Sequence, residues 1–343
     1  MKDKFTWSCL DRFGNCCTNI ECNCIETSNK LKGRSSHCIS VIGDTLYVFG
    51  GEIVPRKPIN SIFYTRNLND KGNNIWKIVN VHNSNEPIAR VGHSQTIIGK
   101  NIWIFGGRQG CSMSEIPMND LWKFDTISNM WEHINSINDN IPEARSFHKM
   151  ISIGNKLYIF GGCGKSNRLA DLHCYDTDLN IWEKLPQPPV NFIGRGGAGF
   201  LSSSNDENLF IVGGFTGSES NAVMRYNILE KKWYEVYKEG NNLIQPFSVT
   251  SGITLDKYLI FFGGETNPSE KGHAGAGIFS NSLLVLDGIT GKKITIPKIL
   301  NPPEARGWFD SAKWNEKMVI FGGLTGNDEQ MIRLNDIWIL SLN

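Results

Sequence analysis

The 343-residue sequence predicts an all-β fold, a six-bladed propeller of four-stranded blades whose last blade is closed by the N-terminal strand. Three observations predict it. The stretch Leu46-Tyr47-Val48-Phe49-Gly50-Gly51 returns in similar form at 102–107, 157–162, 209–214, 259–264 and 318–323. The glycine doublets are spaced 56, 55, 52, 50 and 59 residues apart, the period of a repeat array in which each unit is one supersecondary element. Finally, the two ends of the chain are complementary: the last repeat lacks its final strand, and a spare strand stands before the first.

Each repeat carries four strand candidates, a to d. Strand b precedes the doublet and is apolar at every position, as befits a strand covered on both faces by neighbouring blades. The doublet itself suits backbone angles closed to other residues, or a close approach to the next strand. Strand a lies before b across a short turn such as Ile42-Gly43-Asp44. Strand c recurs as Ser61-Ile62-Phe63-Tyr64, Leu121-Trp122-Lys123-Phe124 and four later equivalents. Strand d is marked by Trp76, Trp131, Trp182 and Trp233, and has no such Trp in the fifth repeat, where 292–295 is expected to form the weakest blade. The chain stops after strand c of the sixth repeat, so Phe5-Thr6-Trp7-Ser8-Cys9 is predicted to complete that blade and remove the open edges. The domain reading is one propeller over 1–343, with 11–33 as a cysteine-rich loop holding Cys16, Cys17, Cys22 and Cys24.

Composition narrows the partners. Lys+Arg of 35 against Asp+Glu of 34 gives a net charge of +1, which points to neither nucleic acid nor an anionic membrane as the main partner. With no 18-residue apolar run and no apolar leader, the chain is expected to be cytoplasmic, its thiols reduced. The cysteine spacing does not match paired CxxC zinc sites. The string Gly194-Arg195-Gly196-Gly197-Ala198-Gly199 satisfies GxGxxG but is followed by no helix.

Strand direction puts the b–c and d–a loops on one rim, where the long segments lie and where function is concentrated. Seventeen residues before the second Gly of the doublet stand Arg34, Arg90, Arg145 and Arg306; Arg195 stands 19 before Gly214, and Phe247 takes the fifth slot. Five guanidinium forks in a shared concavity suit a small anionic ligand such as a carboxylate, sulfate or phosphate. The other reading is that each ties down a loop carbonyl or acid, such as Glu143 or Glu304. Trp308 beside Arg306 is a candidate interface platform. His37, His93 and His148, each three after an Arg, read as a structural feature of strand a. The longest b–c loop, 265–277, holds Glu265, Glu270 and His273, donors suited to a transition metal; the competing reading is a solvated Gly-rich loop.

With these residues laid out, the chain resembles the kelch β-propellers, and within them the plant specifier proteins of glucosinolate breakdown. The likeness runs from Trp7 to the end and includes Arg34-Ser35-Ser36-His37, Pro142-Glu143-Ala144-Arg145-Ser146-Phe147-His148, Arg195-Gly196-Gly197-Ala198-Gly199-Phe200, Glu219-Ser220-Asn221-Ala222-Val223 and Arg306-Gly307-Trp308. The resemblance implies iron(II) ligands in an E-x3-D-x3-H pattern after the fifth strand b. Glu265 and His273 match its first and third positions, Ser269 stands at the second, and Glu270 follows one residue later. It also implies that Arg145 and Trp308 meet substrate, while Ser94 stands where a family rim Arg is expected. The expected function is a protein- or peptide-binding scaffold without a cofactor, using the loop rim; the alternative is an Fe(II)-dependent, specifier-like lyase acting on a small anionic substrate.

Overall fold

The computed structural model describes residues 4–11, 31–70, 75–109, 117–297, 299 and 301–342. The predicted cysteine-rich loop falls largely outside them, at 12–30, and Cys16, Cys17, Cys22 and Cys24 lie there. Among the described residues no helix is long and apolar enough to cross a membrane, and the helical structure is one 3-10 turn, Gly272–Ala274.

Six antiparallel sheets follow the six repeats. In blade 2, strands Ser94–Ile98, Asn101–Gly107, Met118–Asp125 and Met130–Ile134 pair in that order from the axis outward. The b strands are the most buried elements: Tyr258–Phe262 and Asn208–Val212 are buried at every position, because the apolar clusters lie between blades, not within them. Trp76, Trp131 and Trp182 on the outer strands are each 3% exposed or less and pack into these inter-blade layers. In blade 1 the third strand is Tyr64–Asn67, three residues later than the sequence pattern suggests. The Asn60 side chain accepts from the Ile62 N–H at 3.2 Å, so a local turn competes with the ladder there.

The fifth blade has three strands, Ser251–Leu255, Tyr258–Phe262 and Leu283–Asp287. Its fourth is reduced to a bridge between Leu286 and Lys293, with Ile294 N–H donating to Val285 O at 2.9 Å. Without a strand-d Trp little aromatic surface holds the segment down; Ile294, Ile296 and Ile299 pack in its place.

Closure follows the expected route. Phe5–Asp11 pairs antiparallel with Met331–Leu342, the third strand of blade 6, in the register Phe5 to Leu342 and Trp7 to Leu340. Phe5 and Trp7 are each 7% exposed, and Trp7 meets Phe262 of blade 5 at 4.9 Å between ring centroids. The N-terminal strand thus both completes blade 6 and covers the weak blade beside it. Trp7→Ala is expected to cost about 3–5 kcal/mol, and removal of residues 1–10 to lower the melting temperature more than Trp7→Ala does. An unchanged melt in the truncated chain rejects this mode of closure.

Candidate functional site

The five arginines lie inside the blades, not around the mouth of the channel. Arg34, Arg90, Arg145 and Arg306 are 0% exposed and Arg195 is 2%. Each Nη1 donates to the carbonyl of the first Gly of its own doublet, at 3.3 Å for Gly50, 2.8 Å for Gly106, 3.0 Å for Gly161, 2.9 Å for Gly213 and 3.0 Å for Gly322. Each Nε donates to the carbonyl two residues back, which at Arg145 and Arg306 is that of Glu143 and Glu304. Three also form forked ion pairs with an acid within strand c: Arg90 with Asp120, Arg145 with Asp171 and Arg306 with Asp336. Arg195 binds the Ser220 hydroxyl instead, and Arg34 lies over the Tyr64 ring. Burial pushes the Asp171 carboxyl up, but His173 and the Arg145 fork outweigh it and hold the group well below the usual carboxylate range. A guanidinium so engaged has little left to offer a ligand. His37, His93 and His148 are likewise buried and held neutral, burial being the main cause.

What the arginines position is the rim. Two residues after each of these slots stands Ser36, Gly92, Phe147, Gly197, Val249 or Trp308, and all six have left-handed backbones, with φ from 45° to 60°. Phe, Val and Trp rarely adopt that region, and such residues cluster where a site demands it. Their N–H groups donate to the equivalent carbonyl of the preceding blade in an unbroken circle: Gly92 to Ser36, Phe147 to Gly92, Gly197 to Phe147, Val249 to Gly197, Trp308 to Val249 and Ser36 to Trp308. This circle frames the upper mouth of the channel, and its large side chains, Phe147 and Trp308, turn toward one another at 5.4 Å.

Above the circle lies a cavity of about 400 Å³, lined by Arg56, Arg108, Arg168, Phe215, Glu265 and His273 among others, with Phe147 and Trp308 at its base. The segments that follow the doublets of blades 1 to 3 supply the cations Arg56, Arg108 and Arg168: Arg108 follows Gly107 directly, its Nε on the Ser146 hydroxyl at 2.9 Å, and Arg168 lies over the Phe215 ring at 4.5 Å. The N–H of Arg56 is held by the buried Glu52 carboxylate, itself paired with Arg333. His273 stacks on Phe147 at 4.9 Å and 12°, and meets Trp308 edge-on at 5.1 Å. His273 is exposed at the protein surface, yet the two rings and the cavity wall desolvate its imidazole. That desolvation, followed by the charges of Arg108, Arg56 and Arg168, holds its pKa below the usual imidazole value. On the far wall, burial pushes Glu265 up to about 7. Burial likewise pushes the adjacent Glu219 up to about 8; Ser248 opposes that shift and the Glu265 charge adds to it. Burial thus disfavours the charged form of both carboxyls, and Arg56, Arg108 and Arg168 leave the cavity with net positive charge.

Of the residues singled out in the sequence, Trp308, Glu265, Ser269 and His273 line this cavity; Arg34, Arg90, Arg145, Arg195 and Arg306 do not, and Glu270 is exposed. Arg56, Arg108, Arg168, Phe147 and Phe215 line it without having been singled out. Counting forward from the doublet, not back, finds Arg108.

The iron(II) implied by the specifier resemblance does not fit these residues. The Ser269 hydroxyl, at the acid's position, donates to Asp328 Oδ1 at 2.6 Å. Glu265 Oε1 accepts the Gly277 N–H at 2.9 Å, and His273 lies beside three guanidiniums that repel a dication. Among the described residues no three His, Cys, Asp or Glu side chains stand close enough together to hold a metal ion.

Comparison with known proteins is consistent with the architecture. The family described as the KLHDC2/KLHL20/DRC7 Kelch-repeats domain matches residues 36–264. The chain is 30% identical to N-(sulfonatooxy)prop-2-enimidothioate sulfolyase of Thlaspi arvense over 90% of its own length and 93% of that protein. It is 29% identical to Kelch-like protein 15 of Mus musculus over 59% of its length, and spans only 34% of that longer protein. Among solved structures, that of YjhT superimposes with a TM-score of 0.71 at 15% identity, covering 92% of this chain and 99% of the other.

The two sets of arginines make opposite predictions. Arg306→Ala leaves the Asp336 carboxylate half-buried without its fork and is expected to destabilise the fold by about 3–5 kcal/mol. Arg168→Ala removes a rim side chain and is expected to change stability by less than about 1 kcal/mol. Denaturant unfolding of the two variants checks this; equal, small losses would return Arg306 to the list of ligand-binding candidates.

Proposed function

The chain belongs to the kelch-repeat family, and from that premise we propose that it is a binding module which captures a protein or peptide through an anionic group seated in the rim cavity. The observation that carries this reading is the meeting of Arg56, Arg108 and Arg168 with Phe147, Phe215 and Trp308 around one concavity of about 400 Å³. Arginine forks match carboxylate or phosphate oxygens in pairs, and aromatic faces supply area at low entropic cost, the combination enriched where interfaces carry their binding energy. Glu265 and Glu219, held partly protonated, do not cancel the arginine charge. The anionic group is a side-chain carboxylate, a chain terminus or a phosphate.

A second reading, an Fe(II)-dependent lyase acting on a small anionic substrate, is favoured by the 30% identity to the Thlaspi arvense sulfolyase along nearly the whole chain. The same arginines would take a sulfate group. The donor set at Glu265, Ser269 and His273 speaks against the metal step, so the binding reading is preferred.

A display selection with peptides of free and amidated C-terminus tests the proposal. Selected peptides are expected to share an anionic group, and Arg108→Ala with Arg168→Ala to weaken them about a hundredfold, the loss of two charge-assisted contacts. The melting temperature should move by no more than a few degrees. Affinity should also fall as pH rises through about 7 to 8, because Glu265 and Glu219 then ionise and oppose the ligand's charge. Peptides with no anion in common, or a double variant that binds like the wild type, would overturn the reading.

A further inference from the structure

The blade-5 loop that carries Glu265 and His273 is held from outside its own blade. Asp328 lies in the turn of blade 6 that follows Lys317–Gly326 and precedes Met331–Leu342. Its Oδ1 accepts the Ser269 hydroxyl at 2.6 Å and the Ala276 N–H at 2.8 Å, so two points seven residues apart in the loop meet on one oxygen. The Asp328 backbone carbonyl accepts from Lys271 Nζ at 2.9 Å. Between these anchors the Gly272–Ala274 turn presents His273 to Phe147 and Trp308. The fit is close: a Cβ on Gly275 would overlap both Ser269 Oγ and Asp328 Oδ1, and one on Gly277 would overlap Asn267 O and approach Glu265 Oε1.

The polarity of this arrangement is the informative feature. In a loop built around a cation, oxygens converge on an empty centre. Here donors, a hydroxyl and an N–H, converge on a carboxylate oxygen, and that oxygen is the centre. The Asp328 carboxyl is accordingly held below the usual carboxylate range, first by the Ser269 hydrogen bond and then by Ala276.

We propose that Asp328 is the positioning residue of the rim cavity, a hydrogen-bonded latch from blade 6 that shapes the blade-5 loop and holds His273 over Phe147 without an ion. The effect on ligand affinity rests on the binding reading above; the latch itself is read on the free protein, so the two can fail separately.

Amide hydrogen exchange over 269–277 in the full chain tests it, with Asp328→Ala and Asp328→Asn. Asn keeps an acceptor oxygen but loses the negative charge on which a cation site depends. Exchange at Ala276 is expected to quicken about tenfold or more in Asp328→Ala, the loss of a charge-assisted hydrogen bond, and less than about threefold in Asp328→Asn. Exchange in Tyr258–Phe262 should stay as in the wild type, which separates loop opening from global unfolding. An anionic peptide from the selection should lose affinity in Asp328→Ala and recover it in Asp328→Asn. Wild-type exchange in Asp328→Ala would overturn the latch, and damage by Asn equal to that by Ala would show that the charge, as in a cation site, is what the loop needs. If the peptide fails to bind wild type while the exchange results hold, the latch stands and the binding reading falls.

Discussion

The propeller depends on one repeated contact between an arginine and a pair of glycines. In five blades the guanidinium donates to the carbonyl of its own first Gly, while the N–H of the second Gly donates to the carbonyl of the arginine in the next blade. Gly51 reaches Arg90, Gly107 reaches Arg145, Gly162 reaches Arg195, Gly264 reaches Arg306 and Gly323 returns to Arg34; Gly214 binds the Phe247 carbonyl at the slot without an arginine. Both glycines need left-handed φ, from 60° to 103°, and a Cβ on the first would strike the next blade's backbone. Each doublet thus closes its own blade and joins it to the next. A buried guanidinium is tolerable because carbonyls and carboxylates satisfy it, and its removal leaves those partners exposed to the cost of burial without it.

The rim inherits its geometry from that contact. Fixing the arginine fixes the residue two places on, and six such residues close a second circle of hydrogen bonds at the channel mouth. Because the circle imposes left-handed backbone on whatever residue stands there, Phe147 and Trp308 are held where unconstrained chain would not keep them. The b–c loops then add what the circle lacks: Arg108 and Arg168 from blades 2 and 3, and His273 from blade 5. Rigid closure at the centre and variable charge at the loops is how one scaffold supports different ligands.

The sequence carries the fold more plainly than the site. The doublet, the apolar b strands and the Trp-bearing outer strands each repeat, so a period read once is checked five times; even the weak fifth blade is visible as a missing Trp. The strand Phe5–Asp11 is legible because an unpaired strand at one end matches a missing one at the other. The arginines mislead for the same reason that they are easy to find. A feature repeated in five blades is what the scaffold needs in each, whereas a ligand site is built from what differs between blades. Arg108 and Arg168 stand one and six residues after the second Gly of their doublets, Arg56 and Asp328 five, and no one residue type recurs at a fixed offset. The role of Ser269 is not legible in the sequence either, since a hydroxyl is silent about its partner until the fold brings Asp328, 59 residues away, to meet it.

The central claim is that the rim is an anion-binding surface organised without a metal. Metal analysis of protein purified anaerobically and equilibrated with Fe(II), beside Glu265→Ala and His273→Ala, tests it most directly. The account predicts substoichiometric iron that is the same in all three proteins. One iron per chain in the wild type, lost in both variants, would contradict it and restore the lyase reading.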